Sequence, residues 1–481
     1  MSVDFAVVVD LIPSPVSIVE VGWCGGGTLD HGRDWMRRWG PLVGLALALL
    51  VGAGLRLGFY GVIEWKDDEQ WTFVHAQQMA ATGLWPAIGM PSSIGAPNPG
   101  LSLWVFSWLI QLGARTPPDL ARAVQALNVA ALLAFAGFGL VAMPRERREP
   151  WLWAAALWAA NPASIIIERK IWPPSVLPLP AVGLLWAWSW RRHPAAAFAW
   201  GLLGALMAQI HLGAALFAAA LAVWTLVADR RGFPWTGFIA GSLLGAMPAV
   251  PWAIELAGRG WPRGGHPDPS VSFYLRWPSF LLGNGPEYTL NRAGFADFLT
   301  TPLVDGVRTH LAAVMQAALV AATAVLVVRA AAKLLRERGL SLRALFFGDS
   351  PETVLSAAAC WGYGGLLTLV TFDGAGSYRH YMEIIAPIMA LWSAVFALWT
   401  DRGARWRLAR PSLVVICVAQ VALSLFLLTY IGRVGAVAGD FGVSWKAQQA
   451  GVTLPVSARA ARLRRSGAAG RQGQGPTRPG G

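Results

Sequence analysis

Asp67, Asp68 and Glu69 stand side by side about seven residues beyond the first long apolar run of the chain. Acids next to a bilayer are costly to hold and add nothing to apolar packing. Three adjacent carboxylates repel one another, which raises the pKa of at least one. A carboxylate lifted in this way is a better general base. The apolar positions Phe73, Ala76, Met79 and Ala80 follow at helical spacing, so the acids open a short helix whose dipole favours negative charge at that end. The bland alternative is that Asp67 or Asp68 only caps this helix.

The elements around the triplet are membrane helices. The chain has 481 residues, 55% of them hydrophobic and 14% charged, with a mean hydropathy of +0.48. A soluble domain rarely reaches that apolar fraction. Apolar runs close to the ~20 residues that cross a bilayer recur along the sequence. Eleven are expected, at about 41–60, 121–143, 151–167, 174–190, 195–211, 212–228, 235–256, 307–328, 353–372, 381–400 and 411–431. The fold class is therefore an all-α polytopic membrane protein, with one transmembrane domain over 36–432 and tails over 1–35 and 433–481. The N-terminal tail is expected to be poorly ordered. The basic, Gly/Ala/Gln-rich end reads as disorder after about 456.

Net charge is +13. The basic residues are spread over short loops, which fits the positive-inside bias and argues against a nucleic-acid partner. Arg145/Arg147/Arg148, Arg191/Arg192, Arg230/Arg231, Arg329–Arg343 and Arg402–Arg410 occupy every second connection. With these in the cytoplasm together with the N-terminus, the connections 61–120, 168–173, 257–306 and 373–380 lie outside, and so does the acidic triplet. The segment 100–115 is short for a span and is expected to lie at the outer interface. The same count places the basic tail after Arg433 outside, against the charge rule.

Several stretches resemble the GT-C membrane glycosyltransferases, in particular the protein O-mannosyltransferase and aminoarabinose-transferase group. Asp68-Glu69-x-Trp71, Ala76, Met79-Ala80 and Gly83 are similar to that group's first outer loop. Pro97-Asn98-Pro99-Gly100-Leu101, Leu120-Ala121-Arg122, Asn161-Pro162 through Arg169, and Tyr378-Arg379-His380-Tyr381 with Pro387 resemble later motifs in the same order. Two departures stand out. Trp172-Pro173-Pro174-Ser175 occupies the place where many members carry an acid, with Glu168 out of register. The turn at Asn98-Pro99-Gly100 lacks the family's histidine.

The resemblance implies a GT-C-like bundle that transfers a sugar, with inversion, from a polyprenyl-phosphate donor to an acceptor at the outer membrane face. By position it implies Asp68 as the base, with Glu69 as the neighbour that positions or tunes it. Such chemistry also needs cations for the departing phosphate. Arg169, Lys170, Arg379, His380, Arg122 and Lys66 are the candidates, with headgroup snorkelling as the alternative for any one of them. His211, His266, Asp268, Glu287 and Tyr381 are candidates for the sugar or acceptor pocket, and Trp261 or Trp277 for stacking on a sugar. Helix-end or loop polarity is the safer reading for the histidines and acids of this set.

No metal-ligand spacing, Walker motif or Rossmann glycine pattern is present, so no cofactor is required. A divalent metal stays open. The partners expected are the lipid-linked sugar, membrane lipids and an acceptor lipid, glycan or protein, in the inner membrane of a bacterium and its cell envelope. A multi-span transporter or lipid flippase is the runner-up. Transporters usually place charges and broken helices at the bilayer midplane, often in two related halves. Here the acids lie in outer loops and no internal repeat is found. A lipid-linked polymer ligase on another fold is a third reading, and a purely structural scaffold the least favoured.

Overall fold

A computed structural model describes residues 28–91, 97–259, 270–283, 285–336, 350–370 and 380–453. The chain divides into two compact units, residues 1–44 and 45–481. Within the first, residues 28–44 are helical and contain Pro41. The second unit holds the helical bundle and the candidate site.

The described residues are mainly helical. Among the described residues, five helices are long and apolar enough to cross a membrane: Gly40–Leu57 in α1 (Thr28–Leu57), α4 (Pro117–Val141), Trp235–Gly258 within α10–α11 (Trp235–Ala246 and Val250–Arg259), α15 (Leu311–Arg336), and Ala409–Val434. The other expected spans are shorter or broken. The helices α8 (Pro194–Ile210) and α9 (Leu212–Ala228) have 17 residues each. The expected span 353–372 passes through a π-helical stretch, Ala358–Tyr363. A two-strand hairpin, Leu303–Val304 with Val307–Arg308, precedes α15, which therefore begins at Leu311 and not at 307.

The span expected at 151–167 is broken in the interior of the bundle. Helix α5 (Arg148–Ala160) stops at Asn161, because Pro162 has no N–H to continue the ladder. Asn161 caps the next helix, α6 (Pro162–Ile167). Its Oδ1 accepts from Ala163 N at 3.0 Å and Ser164 N at 3.2 Å. The last carbonyls of α5 are thereby orphaned in an apolar interior. Arg56, fully buried, fills that gap by donating to Ala159 O at 2.8 Å and Trp158 O at 3.2 Å. Gly52 makes the approach possible, since a Cβ there would come within 2.8 Å of the Ala159 side chain. The charge of Arg56 is met by Glu168, just after α6, which also accepts from Trp158 Nε1 at 2.9 Å.

Arg169 performs the reciprocal service. Its guanidinium donates to the carbonyls of Leu55, Arg56, Gly58, Phe59 and Val62, closing the C-terminal end of α1. The two arginines thus cap each other's elements.

Elsewhere small residues set the packing. Helices α8 and α10 meet backbone to backbone. A Cβ on Gly241 would sit 2.0 Å from Phe198 O, so only glycine fits there. The connections with arginines are stitched by ion pairs. Arg147–Glu352 (2.7 Å), Arg410–Glu149 (2.6 Å) and Arg329–Asp401 (3.0 Å) draw the 145–149, 329–336, 350–352 and 401–410 segments together. Helix α3 (Leu101–Gln111), at 11 residues, is too short to cross ~30 Å of hydrocarbon. It buries Leu101, Leu103 and Phe106 and exposes Trp108.

Candidate functional site

The acidic triplet forms the first turn of α2 (Asp67–Thr82). Lys66, and not an acid, holds the N-cap position, and no side chain caps the helix. Capping therefore does not account for Asp67 or Asp68. The turn splits the three acids by environment: Asp67 is exposed, Asp68 half-buried and Glu69 buried.

Asp68 and Glu69 line a cavity of about 360 Å³. Lys66, Lys170, His211 and His380 line it with them. These residues come from four connections far apart in sequence. The extended stretch before α2 brings Lys66. The turn after α6 brings Lys170 and Trp172. His211 is the single residue between α8 and α9, and His380 opens the short helix His380–Glu383. Lys170 and Arg169 are adjacent, yet only Lys170 faces the cavity, because Arg169 is committed to the end of α1.

Glu64 organises the cations. It is 2% exposed and bridges the two lysines, 2.6 Å from Lys66 Nζ and 2.5 Å from Lys170 Nζ. Asp440 approaches the same two ammonium groups at 3.4 and 3.7 Å. Asp440 comes from the segment after the last long helix. That segment lies along the first loop: Glu64 bridges to Ser444, Trp445 N donates to Ile63 O at 3.1 Å, and Lys446 N donates to Gly61 O at 3.0 Å. The stretch after Arg433 is thus placed beside the acidic triplet.

Electrostatics reflect this crowding. Burial, reinforced by the charge on Glu64, lifts the Glu69 carboxyl to about 8 against the pull of Lys170 and Lys66. It is therefore neutral near pH 7, and its Oε2 has no hydrogen-bond partner. Burial also raises Asp68, but Lys66 and Lys170 oppose the shift. For Lys170 burial works against the charge, yet Glu64, Glu69 and Asp440 outweigh it and hold the ammonium above the ordinary lysine range. Burial, with His211, Lys170 and Arg276 nearby, keeps His380 well below the usual imidazole range and so neutral.

The walls are aromatic. The Trp172 ring lies 4.7 Å from His380, and Lys170 Nζ sits 5.3 Å from the Trp172 centroid. His211 contacts both His380 and Tyr381 at 5.3 Å, while its Nδ1 accepts from Gly213 N at 3.1 Å and so caps α9. The Pro97–Gly100 turn contributes Asn98. Its Nδ2 donates to Met90 O at 3.0 Å, and its Oδ1 accepts from Leu212 N at 3.3 Å, joining the first loop to α9.

Other sequence candidates fall elsewhere. Arg122 is exposed and stacks over Tyr60 at 4.6 Å, beside Asp119. Glu287 is exposed and does not line the cavity. Trp277 is 3% exposed, packed against Phe273 and Trp392, and cannot stack on a sugar. Arg379, His266, Asp268 and Trp261 lie outside the described residues.

Sequence reasoning missed Glu64, Asp440 and Trp172. Glu64 had a signal: two residues from Lys66 in an extended stretch, it shares a face with that lysine. Among the described residues, no group of three or more His, Cys, Asp or Glu is arranged to hold a metal ion. The arrangement pairs a carboxylate and a neutral carboxylic acid with two ammonium groups. It can accept a proton at one wall and hold an anion at the other.

No family model matches the chain, and no curated protein does. Among solved structures the chain is similar to ArnT from Cupriavidus metallidurans in the apo state, at 16% identity over 84% of this chain and 77% of that one, with a TM-score of 0.42. It is similar to the same protein bound to undecaprenyl phosphate, at 16% identity over 82% and 77%, with a TM-score of 0.41. It is also similar to the archaeal oligosaccharyltransferase AglB from Archaeoglobus fulgidus in complex with an inhibitory peptide and a dolichol-phosphate. There the identity is 13%, over 84% of this chain and 57% of that one, with a TM-score of 0.38.

Proposed function

We propose that the chain is an inverting glycosyltransferase that moves a sugar from a polyprenyl-phosphate donor to an acceptor at the extracytoplasmic face of a bacterial inner membrane. The observation that carries this reading is the cavity that sets Asp68 and Glu69 in one space with Lys66 and Lys170.

Asp68 takes the proton of the acceptor hydroxyl. The acceptor oxygen attacks the anomeric carbon from the side opposite the lipid phosphate, and the carbon–oxygen bond to that phosphate breaks. The electron pair stays on the phosphate oxygen, so negative charge develops there in the transition state. Lys66 and Lys170 stabilise it, in a setting where low polarity strengthens such contacts. Glu69, neutral and with a free oxygen, donates a hydrogen bond to the sugar or to the leaving oxygen. The aromatic edge of Trp172 and the uncharged imidazoles of His211 and His380 give the sugar an uncharged bed.

Two measurements test the assignments. Lys170→Gln keeps Glu64 paired with Lys66 but removes one ammonium from the phosphate. In a reconstituted assay the KM for the polyprenyl-phosphate sugar is expected to rise about tenfold or more, the scale of a lost charge-assisted contact. An unchanged KM would remove Lys170 from the donor site. The second is pH dependence. If protonated Glu69 is required, the rate falls as pH rises through about 8, where Glu69 ionises. Glu69→Gln, permanently neutral, is expected to lose that alkaline fall. A variant that retains it would show that another group is titrating.

A further inference from the structure

Two carboxylates share the Lys66–Lys170 pair, and they are unequal. The Glu64 side chain is 1% exposed and sits within 2.6 Å of each ammonium. The Asp440 side chain is 36% exposed and stands off at 3.4 and 3.7 Å. Removing Glu64 from its lysines would strand a buried charge, which is costly. Asp440 is part-exposed and its contacts to the two ammoniums are longer, so its hold on the lysines is weaker than that of Glu64.

The backbone places Asp440 at the tip of a loop and not in its stem. Ala436 bridges to Val443, and Val437 N donates to Gly442 O at 2.8 Å, closing the stem. Phe441, buried, donates its N–H to Thr289 O at 3.2 Å and anchors the far side. Lys66 Nζ also donates to the Asp440 carbonyl oxygen. The main chain at 440 is thus held by contacts that do not involve the carboxylate, and the carboxylate can turn away without the loop unfolding.

Charge gives the motion a purpose. Glu64 and Asp440 together offset both ammoniums, and Asp68 adds a further carboxylate to the same cavity. Turning the Asp440 carboxylate out removes one negative charge from the side of the lysines that is open to solvent, which makes the pair more attractive to an arriving phosphate.

We propose that Asp440 is a displaceable stand-in for the donor phosphate: its carboxylate neutralises the outer side of the Lys66–Lys170 pair in the empty site, leaves when the phosphate binds, and competes it off afterwards. The inference rests on the reading of this cavity as the donor site. Asp440 is a positioning residue here, since it acts on the substrate through the two lysines.

The test is direct binding of polyprenyl phosphate to the full-length protein in detergent, with inorganic phosphate as competitor. Asp440→Asn keeps the size of the side chain and all the backbone contacts of the loop. It is expected to bind polyprenyl phosphate about tenfold tighter than the wild type, the factor that goes with relief of a like-charge contact. Asp440→Glu is expected to stay within about twofold of the wild type. Inorganic phosphate is expected to displace the lipid from both wild type and Asp440→Asn, which places the effect on the phosphate and not on the lipid tail. Equal or weaker binding by Asp440→Asn would overturn the inference, and so would lipid binding that inorganic phosphate leaves untouched. A wild type that binds no polyprenyl phosphate sinks the donor reading itself, whereas wild-type binding with no gain in the variant sinks only the role of Asp440.

Discussion

Asp68→Asn is expected to lower turnover about a thousandfold while donor binding stays within about twofold, since a positioned general base contributes typically 10²–10⁴. Asparagine keeps the shape and a hydrogen-bonding oxygen but cannot take a proton at neutral pH. Each neighbour is less suited to the work. Asp67 is exposed at the start of α2 and does not line the cavity. Glu69 lines it but carries its own proton near pH 7. Asp68 faces the cavity too but is only half-buried, so burial raises it while Lys66 and Lys170 pull the other way. Initial rates with a polyprenyl-phosphate sugar, measured beside donor affinity, separate the two effects. Asp67→Asn serves as the control and should keep most of the activity. Normal turnover by Asp68→Asn would remove it from the reaction.

The largest effect on stability is expected from Arg56→Met. The change leaves Glu168, fully buried, without its cation, and takes the donor from the carbonyls of Trp158 and Ala159 at the broken end of α5. Removing one partner of a buried pair costs roughly 3–5 kcal/mol. Thermal unfolding in detergent should show a drop of many degrees, or the variant should fail to accumulate. Arg56→Met combined with Glu168→Gln removes the stranded charge and should recover part of the loss. A single variant that melts with the wild type would mean that the pair contributes nothing to the bundle.

The long helices and the acidic first turn of α2 were legible in the sequence because both depend on local pattern. Apolar runs of sufficient length need no partner to be recognised, and adjacent acids at a helix start are visible in a few residues. The sequence did not show the grading of the three acids: exposure falls from Asp67 through Asp68 to Glu69 as the first turn rotates toward the interior.

What was not legible depends on direction and on distant contact. Arg169 and Lys170 are neighbours of like charge, and both fit a phosphate site on composition. In the turn after α6 one points back to the carbonyls that end α1 and the other into the cavity. No pattern in the sequence separates them, because the separation is made by Gly58, Phe59 and Val62 far upstream. Glu168 was set aside as out of register with an acidic role, and it proves to be the counter-charge of Arg56. The stretch after Arg433 is mostly basic, against the charge rule, and nothing local announced that its one acid, Asp440, would reach Lys66 and Lys170.

That last contact has a consequence for biosynthesis. The chain is made from its N-terminus, so α2 and the lysines emerge long before residue 440. The segment that borders the cavity comes after the helix Ala409–Val434, the last long one. Until that helix is inserted, Glu64 has no Ser444 to pair with and the lysines lack their outer carboxylate. A nascent or C-terminally shortened chain carries the acids of α2 but an electrostatically unfinished pocket. Completion of the site and completion of insertion are therefore one event.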